Sequence, residues 1–259
     1  MKPSRLNKVI LFVVLFFLIA PFTIVFMTAF SDDNSLIFPP QAYSLRWISS
    51  VLQTEVFASS LVTSLWLAIG ATVIALLLGI PAAYALQRYR LPETEAIRTA
   101  LTSPLIIPGL VIGVALLRQF VLIRDGSVNL ALLLGHSALV LPYAVRVVGA
   151  SLANLPRDIE DAAFSLGATR MQIFWRVVLP NVRGGVAAAT VLAFINSFNH
   201  VPVSLFLTGP GITTLPIRML LHMESSYDPS IAALSMLVIL FSIFFVLITE
   251  RLLGLSRYV

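Results

Sequence analysis

The chain has 259 residues, 58% of them hydrophobic and 11% charged, with a mean hydropathy of +0.95. A soluble domain is roughly 45–50% apolar and about 25% charged, so polar side chains could not clothe this one, and apolar burial is too abundant for disorder. The absence of cysteine removes disulfides, thiolate zinc sites and cysteine nucleophiles.

What remains is an all-α membrane protein. A crossing helix needs about 20 apolar residues, and six stretches supply them: 9–30, 57–86, 100–122, 130–152, 185–207 and 230–253. An even number sets both termini on one side. Of the 17 Lys and Arg, only Arg46, Arg118, Arg124 and Arg218 fall on the opposite side. The positive-inside rule then places both termini in the cytoplasm. The net charge of +5 therefore reports orientation, and nucleic acid is not an expected partner.

The first stretch follows Lys2, Arg5 and Lys8 as a secretion signal would, but it outruns the roughly 7–15 apolar residues of a cleavable segment. A retained first helix is expected. Pro21, Pro81, Pro104, Pro108, Pro142 and Pro202 interrupt the apolar stretches. Each removes a backbone donor. They read either as kinks at packed interfaces or as hinges of a chain that alternates between conformations.

The segment 154–184, between the fourth and fifth stretches, is patterned as two short helices. Pro156 suits a first turn, and Asp158, Glu160 and Asp161 sit where the helix dipole favours acids. Ile159, Ala162, Ala163 and Leu166 share one apolar face, and Gly167 stops the helix. Thr169 and Gln172 are spaced as a capping box for a second helix. That helix carries Met171, Phe174, Trp175 and Val178 on one stripe until Leu179–Pro180 ends it. Small Ala162 and Ala163 suit docking in another protein's groove. With Arg170, Trp175 and Arg176 nearby, an interfacial helix lying on the membrane is the other reading.

On the fifth stretch Asn196, Asn199, His200 and Ser204 fall at i, i+3, i+4 and i+8, one polar stripe on an apolar helix. Such a stripe faces protein or a water-filled path rather than lipid. It serves either helix–helix hydrogen bonding or the lining of a translocation route. His136 is expected to bond a neighbouring carbonyl, and Arg146 to snorkel to the cytoplasmic interface. No GxxxxGK[ST] phosphate loop occurs, and His136, His200 and His222 are too dispersed in sequence for a metal motif. Gly149-Ala150-Ser151-Leu152 lacks the second Gly of an intramembrane serine protease, so no enzyme is expected.

Asp161-Ala162-Ala163, three residues, Gly167, nine residues, Val177, one residue, Leu179-Pro180 closely resembles the EAA loop of membrane subunits of ATP-binding-cassette importers. Asp161 stands for the usual Glu and Val177 for the usual Ile. Residues 105–113, LIIPGLVIG, and 197–216, SFNHVPVSLFLTGPGITTLP, resemble permeases of the spermidine/putrescine branch. The resemblance implies a type I importer permease (MetI-like) fold across 1–259 as a single transmembrane domain. In it, Glu160, Asp161, Ala162, Ala163, Leu166, Gly167, Ala168, Leu179 and Pro180 would form the coupling loop that docks on a cytoplasmic ATPase. It further implies a second permease subunit, with a heterodimer favoured, a periplasmic substrate-binding protein, and a place in the lipid of a bacterial inner membrane. ATP and Mg would belong to the partner subunit, with no cofactor in this chain.

The implied cargo is a small organic solute, polyamine-like first, with an opine, an aminophosphonate or another organic ion as alternatives. One departure bears on it: well-known polyamine permeases carry an acidic pair where this chain has Asn199–His200. An ion-coupled secondary transporter is the competing class. It would usually show acids well inside a span, whereas these 12 lie in loops or at span ends.

Overall fold

With no water in a bilayer core, a crossing backbone must satisfy its own hydrogen bonds, and helices do so within one segment. The computed structural model describes residues 4–89, 92–122, 127–209 and 211–253, which are mostly helical. Pairing of the strand type among them is confined to the isolated bridges Ser31–Tyr43 and Gly209–Ile212. In chain order the helices are α1 (Arg5–Ala29), α2 (Arg46–Gln53), α3 (Glu55–Arg88), α4 (Thr94–Thr102), α5 (Gly109–Leu122), α6 (Val128–Ala153), α7 (Asp158–Ser165), α8 (Arg170–Asn181), α9 (Arg183–Phe198), α10 (Pro202–Leu207), α11 (Leu215–Ser225) and α12 (Ser230–Leu253).

Four of these, α1, α3, α6 and α12, are long and apolar enough to cross a membrane unbroken. The other two expected spans are not single helices. The third bends by 96° between Thr94–Leu105 and Gly109–Phe120. Pro104 and Pro108 flank that bend, and each withdraws a donor from the helical ladder.

The fifth stretch departs further. A 72° bend separates α8 from α9; α9 then ends at Phe198, and α10 starts only at Pro202. Pro202 cannot donate back to Phe198, so it serves as the first residue of a new helix instead of continuing the old one. The expected continuous stripe from Asn196 to Ser204 is therefore cut at its middle.

Contacts divide the chain into two compact units, one of the chain up to Ser59 with Arg218–Ile243, the other of Ser60–Ile217 with the chain from Phe244. In the first, α1 is apolar all round, and its side chains before the last turns are largely exposed, the pattern of a helix meant for an apolar environment. In the second, packing relies on small residues. Ala68, Ala71, Ala75 and Ala83 of α3 are fully buried, as are Ala187, Ala189 and Ala193 of α9, and small side chains let backbones approach closely where apolar area gives no advantage over lipid. On α5, a Cβ at Gly113 would stand 2.8 Å from Phe206 Cδ2 and 3.1 Å from the Pro202 carbonyl oxygen. Only glycine lets α10 lie this near.

Candidate functional site

Helix α7 starts at Asp158, two residues later than Pro156 suggests, with Arg157 at its N-cap. Its two faces differ. Glu160 and Asp161 are neighbours, so they project about 100° apart. Glu160 turns inward: its carboxylate pairs with the Arg88 guanidinium and accepts a 2.8 Å hydrogen bond from the Tyr84 hydroxyl. Arg88 Nη2 also donates to the Leu155 carbonyl at 2.9 Å, and Arg157 Nη2 to the Gln87 carbonyl at 2.8 Å. The ion-paired side chains are only 10% and 12% exposed, so water screens them little, and breaking one partner would strand the other charge. Together these bonds fasten α7 to the C-terminal end of α3. Sequence reasoning missed Arg88 and Tyr84; their i, i+4 spacing on one helix face was the available signal.

Asp161 and Ala162 project away from that contact and are exposed. Leu166, at the helix end, is 89% exposed, and Phe164, one turn on from Glu160 on the same side, is 63% exposed. Ala163 and Ala168 instead pack back against buried Ile173, Val178 and Val182. The reversal after α7 carries its own hydrogen bonds: Gly167 N–H donates to Phe164 at 2.9 Å and Ala168 N–H to Ala163 at 3.1 Å, the Schellman pattern of a helix end. Gly167 has φ +85°, and a Cβ there would meet nothing within 4 Å. Conformation, not space, demands glycine at this position.

Helix α8 opens with the expected capping box: Thr169 N–H donates to Gln172 Oε1 at 2.8 Å, and Gln172 N–H to Thr169 Oγ1 at 3.3 Å. Two other expectations fail. A π-turn over Phe174–Val178 shifts the register, so Met171 and Trp175 are exposed while Val178 is buried. The single stripe is therefore split. The helix also runs through Leu179 and Pro180 to Asn181, because the π-turn lets Leu179 N–H bond Phe174 O, five residues back. Leu179 is half-buried and Pro180 exposed.

In the fifth apolar stretch the polar residues part company. Asn199, at the end of α9, is exposed and donates to the Ile195 carbonyl at 3.2 Å; Asn196 is half-buried. Ser204 is fully buried. It and Ser197 hold His136 of α6 between them, with Nε2 to Ser204 Oγ and Nδ1 to Ser197 Oγ both 2.9 Å. The expectation that His136 bonds a carbonyl is corrected: it bridges two hydroxyls across the break between α9 and α10. His200, in the break, lies edge-on to His136 with ring centroids 5.8 Å apart, although the sequence separates them widely. Its Nε2 is buried without a hydrogen-bond partner among the described residues.

Residues 75–255 match the family described as binding-protein-dependent transport system inner membrane component. The putrescine transport system permease protein PotI of Escherichia coli K12 is 30% identical over 86% of this chain and 82% of its own length. The spermidine/putrescine transport system permease protein PotC of Haemophilus influenzae is 26% identical over 95% of each chain. In fold, a crystal structure of a bacterial transporter that imports the acidic polysaccharide alginate contains a chain with TM-score 0.68 and 17% identity, covering 98% of both chains.

Proposed function

We propose a specific role for this chain, which belongs to the family of binding-protein-dependent transport system inner membrane components and is a multi-pass permease subunit of an ATP-binding-cassette importer in a bacterial inner membrane. It couples to a cytoplasmic ATPase through the exposed surface of α7, with Asp161, Ala162, Phe164 and Leu166 on it and the Gly167 reversal behind them. The observation that carries this is the exposure of Phe164 and Leu166 on a helix that is itself clamped at Glu160. Exposed apolar side chains of this extent need a cover, and the clamp makes the helix a lever rather than a loose tether.

In this reading ATP binds and is cleaved on the partner subunits. Their closure moves α7, and the Glu160–Arg88 pair passes that motion to α3. The six spans, two of them broken, have both termini in the cytoplasm and form half of a translocation path; a second permease, a heterodimer partner, forms the rest. A periplasmic binding protein delivers a small organic solute. Putrescine and spermidine are named for relatives, which makes a polyamine-like cargo the first to test, with an opine, an aminophosphonate or another organic ion as the alternative.

The test is affinity purification in mild detergent. The wild-type chain brings an ATPase subunit with it, and Leu166→Asp, a charge on the exposed surface, loses that subunit while the chain stays in the membrane. An ion-coupled secondary transporter would bring none, and retention of the ATPase by the Leu166 variant would remove Leu166 from the docking surface.

A further inference from the structure

Helix α6 departs from α geometry over Ala144–Val148, where a π-turn follows Pro142. Such turns re-aim side chains and recur at functional sites. Arg146 sits at the centre of this one. Its side chain is exposed and has no hydrogen bond or ion pair with any described residue. It walls two cavities. One, of about 870 Å³, is lined also by Tyr143, Ser151, Asn154 and Asn181. The other, of about 510 Å³, is lined also by Gln87 and Arg98, the latter 3.7 Å from exposed Glu95. Among the described residues, neither cavity wall contains a carboxylate.

An arginine is always charged, and a charge within a spanning helix is costly unless it is paired or meets a water-filled pathway, which is why such residues mark substrate routes. The described residues around Arg146 are mostly apolar, with neutral amides and hydroxyls and a second cation among them, so the partner that would neutralise Arg146 is an anion from outside the chain. The guanidinium fork matches a carboxylate or phosphonate with two parallel hydrogen bonds. A bare polyamine entering the same space would meet like charge and no acid, and Asn199–His200 adds none.

We propose that Arg146 is an anion-recognition group on the translocation path, and that the cargo carries a carboxylate, phosphonate or similar anionic group alongside any amine. This rests on the importer reading above and selects among its cargoes.

The experiment compares cells with and without this chain, following depletion of medium solutes by mass spectrometry, with putrescine, spermidine and small amino-carboxylates and amino-phosphonates supplied. The expected result is chain-dependent depletion of an anion-bearing solute, falling at least tenfold in Arg146→Ala and retained at an intermediate rate in Arg146→Lys, which keeps the charge but not the fork. Chain-dependent depletion of polyamines alone, of no anion-bearing solute, or an unchanged rate in Arg146→Ala overturns the proposal.

A lipid headgroup offers the same chemistry, so the purified complex is also reconstituted in phosphatidylcholine with and without phosphatidylglycerol. A defect of Arg146→Ala that is equal in both supports a cargo role, and one confined to the anionic vesicles overturns it. Loss of the second permease from the purified Arg146→Ala complex would reassign the residue to assembly and overturn it likewise. The importer reading is judged separately: it fails if the wild-type chain brings no ATPase, whatever Arg146 does.

Discussion

Segment 154–184 and the broken stretch from α9 to α10 are alike in length and in having a bend, yet they are held by opposite means. In the first, each end carries its own device within a few residues: a Schellman reversal at Gly167, a capping box at Thr169. In the second, the break at Asn199–Val201 is spanned from outside by His136, some sixty residues away in sequence. A bend held only by neighbouring residues survives changes in its surroundings; a break that starts at Pro202 and is also stapled by a tertiary contact depends on them. Under the proposed function, that contrast suits a lever that must stay rigid and a membrane segment that must be able to rearrange.

The largest effect is expected at the locally determined bend. Gly167→Val puts a β-branched residue at φ +85°, where left-handed backbone costs an L-residue about 1–2 kcal/mol before branching is counted. Uptake is expected to vanish while the chain remains inserted at normal abundance; normal uptake would show that the reversal is not needed. Next is the clamp. Arg88→Glu sets two acids against each other in a poorly solvated site, where losing one partner of a buried pair costs about 3–5 kcal/mol, and uptake should fall at least tenfold. Combining it with Glu160→Arg restores a pair. Measured uptake in the double variant no better than in the single one would refute a direct Arg88–Glu160 linkage.

On the other side of the comparison, Gly113→Leu overlaps Phe206 and the Pro202 backbone. Overpacking of this kind costs about 1–3 kcal/mol, and thermal unfolding in detergent should shift down accordingly, more than in Gly113→Ala. His136→Ala leaves the Ser197 and Ser204 hydroxyls without the ring between them, at roughly 1–3 kcal/mol. Hydrogen exchange should quicken around residues 197–204 and stay unchanged in 158–181; uniform protection would mean that the break holds itself. The smallest effect belongs to Thr169→Ala, which loses a cap of about 0.5–2 kcal/mol, seen as faster exchange at the start of α8 alone.

The legibility of the site followed the same division. Acids in the first turn of α7, Gly167 as its stop and the Thr169–Gln172 box were readable because their causes lie within one or two helical turns. The inward turn of Glu160 was not readable: which of two adjacent acids faces the protein depends on Arg88 and Tyr84 lying against α7. The apolar run through 185–207 concealed its break, since Pro202 within such a run is compatible with either a kink or a fresh helix start. The π-turns at Ala144–Val148 and Phe174–Val178 left no periodic mark, and they moved Arg146 and Leu179 into settings that α-helical counting does not anticipate.

Composition determined that this chain is a membrane protein, because so many apolar residues can be kept from water only in lipid or in packed spans; backbone polarity then allows helices or a closed barrel, and apolar runs of about 20 residues select helices. Motif spacing determined the loop and its glycine reversal, because dihedral preference and capping act over neighbouring residues. Only the tertiary structure decided that α7 is clamped at Glu160 with Phe164 and Leu166 left exposed, that His136 staples α9 to α10 across their break, and that Arg146 has no counter-ion among the described residues. Those are pairings of groups far apart in the chain, and a pairing exists only once folding has brought both members to one place.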